Sequence, residues 1–280
     1  MEPIKRILLA TAFFGASLLA FGFMVLPIAA IFVHVPVTDL LHQFTNPVVT
    51  DALIVSLKTI VVAQITILLL GTPIGYLLAS RRFPGHSIIV TLVELPIVLP
   101  PAVAGLGLIV AFGRFGLLGS TFDWLGIDVS FNQTAVVFAI CLVAGPFYVR
   151  QAIASFEAVD KNLIAASRTL GASPTRTFFR VTMPLARGGL AAGEALCLAR
   201  GLGEFGATIM FAGSLQGKTQ TLPLAVYTQF EAQGGLTIAL AISSLLVVIS
   251  LAILLSLKVT SLWQHSRQSS LSPFGRSRSV

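Results

Sequence analysis

The sequence predicts an all-α protein that crosses a membrane about six times. Of its 280 residues, 55% are hydrophobic and 10% are Asp, Glu, Lys or Arg, whereas roughly 25% of the residues in a soluble domain are charged. The mean hydropathy of +0.92 is too high for a protein whose whole surface faces water. Six long apolar runs are the third observation. Together these features exclude a soluble globular enzyme.

The lengths of the six runs give the boundaries of the predicted spans. A helix rises about 1.5 Å per residue, so a hydrocarbon layer of about 30 Å takes about 20 residues. The first run follows Lys5 and Arg6 and is far longer than the apolar part of a signal peptide, so we interpret it as a span. The spans are predicted at 7–32, 52–79, 87–112, 133–149, 188–212 and 236–257.

The distribution of basic residues predicts that both termini face the cytoplasm. With the N-terminus inside, the inner segments hold most of the 18 Lys and Arg residues, and the outer segments hold only Arg114 and Lys218. The positive charge therefore indicates membrane orientation and not nucleic-acid binding. Residues 1–265 are predicted to form the transmembrane domain, and the basic, serine-rich segment 266–280 a disordered cytoplasmic tail.

The cysteines and histidines predict no metal or catalytic centre. Cys141 and Cys197 lie in apolar runs, and the four histidines are scattered along the chain. Gly201, Gly203 and Gly206 match a dinucleotide-binding pattern, but they fall in a predicted apolar helix, where they indicate close packing. We therefore expect the chain to bind no cofactor of its own.

The third predicted span contains a proline cluster that interrupts its helix. Glu94 is followed by Pro96, Pro100 and Pro101 at mid-membrane depth. Proline lacks a backbone N–H and clashes with the preceding turn, so the helix is expected to be kinked or broken here. Irregular backbone at this depth is tolerated where protein or water covers it. The break therefore either borders a translocation path or is a static kink.

The segment 150–187, between the fourth and fifth spans, is long, polar and basic. A helix is predicted from Phe156 to Arg168, and Gly171 is expected to stop it. The residues that mark a second helix are Ser173 as its cap, Pro174 in its first turn and Pro184 at its end. We expect a helix–turn–helix unit outside the membrane, with a helix lying on the membrane surface as the alternative.

The fifth predicted span combines many small residues with Glu194, Arg200 and Glu204. Small residues let helices approach closely in lipid, so this helix is expected to be central. Ionisable groups are costly in lipid, so these three are expected to face protein or a wet path. Arg200 and Glu204 are four residues apart and share a helix face. They form either an ion pair that stabilises packing or one that lies beside a translocation path.

Within the segment 150–187, the sequence resembles the permease subunits of ABC importers. The family motif runs Glu-Ala-Ala, three residues, Gly, nine residues, then Ile-x-Leu-Pro. Here the positions are filled by Ala165-Ala166-Ser167, Gly171 and Val181-Thr182-Met183-Pro184, so that Ala replaces the motif's Glu and Met its Leu. The resemblance implies the type I importer permease fold. It also implies a coupling helix that docks on an ATP-binding subunit through Ala165, Ala166, Ser167, Gly171, Ala172, Ser173, Pro174 and Pro184.

Further stretches narrow the resemblance to the molybdate-type permeases, which are close relatives of the sulfate and thiosulfate permeases. The stretches are 94–101, 113–116, 202–213 and 218–224. The resemblance implies a homodimer in the inner membrane of a prokaryote. Two ATP-binding subunits would hold ATP and Mg on the cytoplasmic side, and a molybdate-binding protein would lie outside. The residues predicted along the translocation path are Glu94, Pro96, Pro100, Pro101, Arg200, Glu204, Phe205, Gly206 and Thr208.

Other functions stay open at this point. Tungstate, sulfate or thiosulfate are alternative substrates within the same family. A secondary transporter driven by an ion gradient would use Glu94, Arg200 and Glu204 as a relay. A membrane scaffold is the third alternative, but it has no use for an organised helix pair in the segment 150–187.

Overall fold

The computed structural model describes residues 2–34, 37–126 and 129–269, and this part of the chain is helical, without a strand. A π-helical turn, Phe178–Thr182, joins two of its α-helices. In chain order the α-helices are α1 (Glu2–Val33), α2 (Val37–Gln43), α3 (Pro47–Ser80), α4 (His86–Val98), α5 (Pro101–Phe112), α6 (Gly119–Trp124), α7 (Gln133–Glu157), α8 (Lys161–Thr169), α9 (Pro174–Thr177), α10 (Met183–Leu202), α11 (Gly206–Ala212), α12 (Leu222–Glu231) and α13 (Leu236–Ser269).

The predicted all-α membrane fold is confirmed. Among the described residues, four helical stretches are long and apolar enough to cross a membrane, namely Leu9–Val33, Pro47–Ser80, Gln133–Glu157 and Leu236–Ser256. Two bent helix pairs bring the number to six if each pair is one span. The helix α4 and the helix α5 meet at 116°, and the helical stretch Pro174–Leu202 meets α11 at 60°. The first pair is the third predicted span. The second contains the fifth, which was predicted to begin at residue 188, whereas the helical stretch begins at Pro174.

Asparagine caps begin two of the long helices. The Asn46 side-chain oxygen accepts a hydrogen bond from the Val48 N–H at 3.0 Å, and Pro47 occupies the first turn of α3. At the start of α7, the Asn132 side-chain oxygen accepts from the N–H groups of Thr134 and Ala135. These bonds satisfy backbone donors that would otherwise lack partners at a helix start.

The central helix is α7, and not the fifth predicted span as the sequence suggested. The most apolar stretch of Gln133–Glu157 is 61% buried inside the chain, and α3 and α10 both pack along α7. The small residues of α10 instead allow one face of this helix to approach α7 closely. A Cβ placed on Gly193 would lie 2.7 Å from the Cβ of Gln151 in α7, so only glycine fits there.

The two terminal helices lie at the edge of the bundle. The most apolar stretch of Leu9–Val33 in α1 is 0% buried within the chain, and α1 packs against α13. The helix α13 continues to Ser269, so residues 266–269 of the predicted tail are helical. The rest of that tail, 270–280, lies outside the described residues, and its disorder stays a prediction.

Candidate functional site

Two helix breaks lie side by side inside the bundle. One separates α4 from α5 at Leu99 and Pro100, and the other separates α10 from α11 at residues 203–205. The start of α5 packs against the start of α11, because a Cβ placed on Gly206 would lie 2.5 Å from the Cβ of Pro101. One turn further along α5, a Cβ on Gly105 would lie 2.6 Å from the Cβ of Met210. The structure therefore joins two stretches that are about a hundred residues apart in sequence.

The break between α4 and α5 has the predicted cause. Leu99 and Pro100 each precede a proline, and a residue in that position is disfavoured in the helical region. Both adopt extended ψ angles, 136° at Leu99 and 133° at Pro100, and α4 therefore ends at Val98. Pro96, in contrast, lies inside α4. The predicted interruption is confirmed, and it is a sharp bend and not a mild kink.

The break between α10 and α11 corrects the prediction of one continuous apolar helix around the glycines. The helix α10 ends at Leu202, and Phe205 has φ −130° and ψ −54°, outside the helical range. The Glu204 carboxylate stabilises the interruption, because its Oε1 accepts a hydrogen bond from the Ala207 N–H of α11 at 2.8 Å. Gly201 and Gly206 therefore lie on different helices and cannot form one helix face.

Arg200 and Glu204 form the predicted ion pair. The Arg200 Nη2 lies 2.9 Å from the Glu204 Oε2, and the side chains are 29% and 1% exposed. The same carboxylate thus binds the last turn of α10 through Arg200 and the first turn of α11 through Ala207. Its charge is compensated in a buried position, as a charge in a membrane interior requires.

A small polar cavity of about 10 Å³ lies beside this ion pair, large enough for about one water molecule. The hydroxyls of Thr208 and Thr221 are buried there without a hydrogen-bond partner among the described residues. Ser56 lies on the opposite wall and accepts a hydrogen bond from the Leu222 N–H at 2.8 Å. Sequence reasoning found Thr208 but missed Ser56, Thr59 and Thr221. Ser56 and Thr59 could have been found from the sequence, because they are two hydroxyl residues three positions apart in an apolar run.

Glu94 lies apart from this group. Its Oε1 is 3.4 Å from the Nε of Arg150 on α7, so its nearest basic partner is not Arg200. The structure therefore does not place Glu94 in one chain of contacts with Arg200 and Glu204 among the described residues.

Phe205 lies at the break with its ring 5.2 Å from that of Tyr227 on α12. Hydrogen bonding to Glu231 raises the pKa of that tyrosine.

The segment 150–187 contains the predicted turn between two helices. The Asp160 side chain caps α8 by accepting from the Asn162 N–H at 2.8 Å, so the first helix begins after a break at residues 158–160 and not at Phe156. Gly171 has φ +83°, a left-handed conformation that glycine adopts without strain. Ser173 caps α9 by accepting from the Arg176 N–H at 3.3 Å, with Pro174 in the first turn.

Pro184 does not end the second helix, which is a correction to the prediction. The chain passes from α9 through the π-helical turn directly into α10. In this wider turn the Met183 N–H donates to the Phe178 carbonyl, five residues earlier. Pro184 then falls in the first turn of α10, where its missing N–H and its ring are tolerated. The helical stretch Pro174–Leu202 therefore runs without interruption from the turn at Gly171 to the buried break.

The helix α8 is exposed, and the segment after it is anchored. Among the described residues α8 buries no side chain, and Leu170 beyond its end is 88% exposed. The Ser167 and Thr177 hydroxyls lie 3.1 Å apart and link α8 to α9. Below them, the ring of Phe178 lies 4.6 Å from the ring of Tyr76 on α3. The turn between α8 and α9 is thus exposed to solvent, and the segment that follows it is packed against α3.

Most of the predicted site residues fall into two groups. Ala165, Ala166, Ser167, Gly171, Ala172, Ser173 and Pro174 lie on α8, on α9 or between them, and Pro184 lies on α10. Pro100, Pro101, Arg200, Glu204, Phe205, Gly206 and Thr208 lie at or next to the two helix breaks. Glu94 and Pro96 lie on α4, with Pro96 in its last turn before the first break and Glu94 paired with Arg150.

Residues 71–261 match the family described as "Binding-protein-dependent transport system inner membrane component". The chain belongs to this family. The permease is 39% identical over 235 residues to the molybdenum transport system permease protein ModB of Mycobacterium tuberculosis, covering 83% of this chain and 88% of the relative. It is also 32% identical over 251 residues to the sulfate transport system permease protein CysW of Synechococcus elongatus, covering 87% and 88%.

The fold of the permease is also found in a solved structure. A crystal structure of a bacterial alginate ABC transporter, in complex with an alginate-bound periplasmic protein, contains a chain that matches it with a TM-score of 0.70. The match covers 93% of this chain and 96% of the other at 16% identity. The permease is therefore a multi-pass inner-membrane subunit with the type I ABC importer fold and a transport component of such an importer.

Proposed function

We propose that the permease translocates molybdate into the cytoplasm by alternating access, driven by ATP hydrolysis on a partner subunit. The observation that carries this proposal is the 39% identity to a molybdenum permease across 88% of that relative's length. Identity to a sulfate permease over a similar length is lower, at 32%. Molybdate and sulfate are both tetrahedral dianions, so the same path chemistry serves either.

The exposed surface of α8 and the turn at Gly171 is the proposed contact for the ATP-binding subunit. A large apolar side chain such as Leu170 is left uncovered there, and exposed apolar surface marks sites of protein contact. The helical stretch Pro174–Leu202 leads from this surface to the break at Glu204 without interruption. A movement of the docked subunit would therefore reach the two breaks through one rigid helix.

The proposed translocation path passes the two adjacent breaks. Helix starts present backbone N–H groups that favour an anion, and the unpartnered hydroxyl of Thr208 is close by. Alternating access requires helices that adopt more than one arrangement, and the two broken helices, packed as one unit at Pro101 and Gly206, would move together. Arg200, the cation beside the breaks among the described residues, is already paired with Glu204. The path therefore favours passage over tight binding, and selectivity would belong to an external binding protein.

The proposed assembly is a homodimer with two ATP-binding subunits in the cytoplasm, a molybdate-binding protein outside and both termini in the cytoplasm. The positive-inside distribution of Lys and Arg supports the orientation. The span in α1, 0% buried within its own chain, supports a neighbouring chain or lipid around it. ATP and Mg would be held by the partner subunit, and not by this chain.

The alternative of a gradient-driven transporter has less support. Its relay needs Glu94 next to Arg200 and Glu204, whereas Glu94 pairs with Arg150 on α7. A transporter driven by the partner's ATPase needs no such relay. Sulfate, thiosulfate and tungstate are alternative substrates of the same proposed mechanism, and the sulfate permease relative is the observation that favours sulfate among them.

Uptake by the full complex in proteoliposomes tests this proposal. Molybdate uptake should require ATP inside, the ATP-binding subunits and the binding protein, and it should continue after ionophores collapse the ion gradients. Excess tungstate should compete strongly and excess sulfate weakly. Uptake that stops when gradients collapse, or that prefers sulfate, would contradict the proposal.

A further inference from the structure

A long groove opens between α3 and α10 at the end of the bundle that carries α8 and α9. Its volume is about 1410 Å³, and Tyr148 of α7 lies at its floor. It follows α3 from Leu68 to Arg81, which corresponds to about 20 Å along the helix. One leaflet of the hydrocarbon core is about 15 Å thick. The groove is therefore about as long as one phospholipid measured from headgroup to chain end.

The walls of the groove are apolar along most of this length. On the side of α3 they are formed by Leu68, Leu69, Pro73 and Leu77, and on the side of α10 by Leu190 and Ala191. Such walls suit acyl chains and offer an inorganic oxyanion too few donors to replace its hydration.

The mouth of the groove is basic. Arg81, Arg168 and Arg187 line it: Arg81 directly follows α3, and the other two lie on α8 and α10. None of the three forms an ion pair among the described residues. The neighbouring Arg82 is different, because its Nη2 lies 2.9 Å from the Glu157 Oε1. The three mouth arginines thus leave an uncompensated positive charge at the end of an apolar groove.

We propose that this groove binds one anionic phospholipid of the cytoplasmic leaflet, with its phosphate at Arg81, Arg168 and Arg187 and its chains between α3 and α10. Basic pockets between membrane helices on the cytoplasmic side are suited to anionic headgroups. A helix from a second copy of the chain would bury the three arginines without a countercharge, which is costly. The assignment rests on the proposed orientation, which places these arginines on the cytoplasmic side.

Glu194 also borders the groove but does not oppose the headgroup. It lies two turns above Arg187, about 10 Å along α10, and its Oε2 is buried in the protein. Thr72 and Tyr148, at the same level, are engaged with each other through a 2.6 Å hydrogen bond. The carboxyl group therefore belongs to the floor, and the other charged groups that line the groove among the described residues are the three arginines.

Such a lipid would connect α8 to the membrane core. Arg168 belongs to the exposed surface proposed for the ATP-binding subunit, whereas Arg81 directly follows α3 and Arg187 lies on α10. A phosphate shared by all three would hold α8 against the two helices. We therefore expect the lipid to stabilise the position of α8 relative to the bundle.

Native mass spectrometry of the full complex tests the proposal without measuring transport. The complex is delipidated and titrated with phosphatidylglycerol or with phosphatidylethanolamine. We expect phosphatidylglycerol to bind and phosphatidylethanolamine to bind poorly. Each arginine near an anionic headgroup contributes about fivefold in affinity, so R81Q/R187Q should bind phosphatidylglycerol about 30-fold more weakly. The control R82Q, next in sequence but paired with Glu157, should bind it as the wild type does.

A second variant distinguishes the groove from a general effect of charge. A191W places a bulky side chain on an exposed position of the apolar wall and leaves all three arginines, and it should reduce phosphatidylglycerol binding as well. Equal binding by the wild type, R81Q/R187Q and A191W would overturn the proposal. So would displacement of the lipid by sodium molybdate, or crosslinking of A191C to a second copy. Failure of molybdate uptake would leave this result unaffected.

Discussion

Pro101 and Gly206 touch at the point where two broken helices begin. A Cβ at Gly206 would lie 2.5 Å from the Cβ of Pro101, which is closer than two carbon atoms can pack. The contact joins the proline break of α5 to the glycine break of α11, so these two irregular stretches form one structural unit. The contact covers part of both breaks, while Pro100, Pro101 and Gly203 are exposed within the single chain. Irregular backbone in a membrane is tolerated where protein or water covers it.

Replacing Gly206 with alanine should destabilise this unit. The added methyl group meets a rigid proline ring and not a flexible side chain, so overpacking should cost about 1–3 kcal/mol. Thermal unfolding of the purified complex would measure the loss, and molybdate uptake should fall with it. The matched control is G107A in α5, since no atom lies within 4 Å of a Cβ there. Equal melting temperatures for G206A and G107A would contradict the packing argument.

Replacing Glu204 with glutamine should expose the role of the ion pair. The amide oxygen can still accept from the Ala207 N–H, so only the partner of Arg200 is lost. Removing one member of a buried pair costs about 3–5 kcal/mol, and the partial exposure of Arg200 places the expected loss near the lower value. The free energy of unfolding of the variant would measure it. The double variant R200Q/E204Q removes both charges and should recover part of the loss. A double variant as unstable as the sum of both single variants would argue against a pairwise interaction.

Replacing Gly171 with valine should uncouple ATP hydrolysis from transport. Glycine has φ +83° here, and a β-branched residue is strained in that conformation by about 1–2 kcal/mol. No neighbouring atom lies within 4 Å of the new Cβ, so the effect is on the turn and not on packing. The ratio of molybdate transported to ATP hydrolysed should fall, while the amount of subunit in the membrane stays unchanged. G171N tolerates the left-handed conformation and is the control. Wild-type coupling in G171V would contradict the proposed role of this turn.

The purified permease alone should bind molybdate poorly. The cation at the two breaks is neutralised by Glu204, so a dianion finds mainly backbone donors and hydroxyls there. Titration calorimetry of the permease without its binding protein should detect no tight site. A submicromolar dissociation constant in that experiment would show that the membrane subunit itself selects the anion.

Local chemistry made much of the fold predictable. The six apolar runs follow from the length of a membrane-spanning helix, and the break before Pro101 follows from the restriction that proline places on the preceding residue. The left-handed turn at Gly171 and the cap at Ser173 are likewise properties of a few adjacent residues. The pairing of Arg200 with Glu204 could be predicted because side chains four residues apart on a helix are neighbours. The pair also forms here, where Glu204 lies just beyond the end of α10.

Contacts between distant residues had to come from the tertiary structure. Sequence reasoning ended the second helix of the segment 150–187 at Pro184, but a π-helical turn absorbs that proline and packs its Phe178 against Tyr76. It expected α10 to be central, but burial depends on how many neighbours surround a helix, and α7 has more of them.

The sequence by itself determined the membrane environment, the number of apolar runs, the turn at Gly171 and the site of the proline break, because each depends on residues that are close together in the chain. Only the tertiary structure decided that Pro101 meets Gly206, that Glu94 pairs with Arg150, and that three arginines from different helices surround one groove. In lipid there is little hydrophobic force between helices, so close fit between distant surfaces selects these contacts, and hydropathy along the chain does not encode that fit.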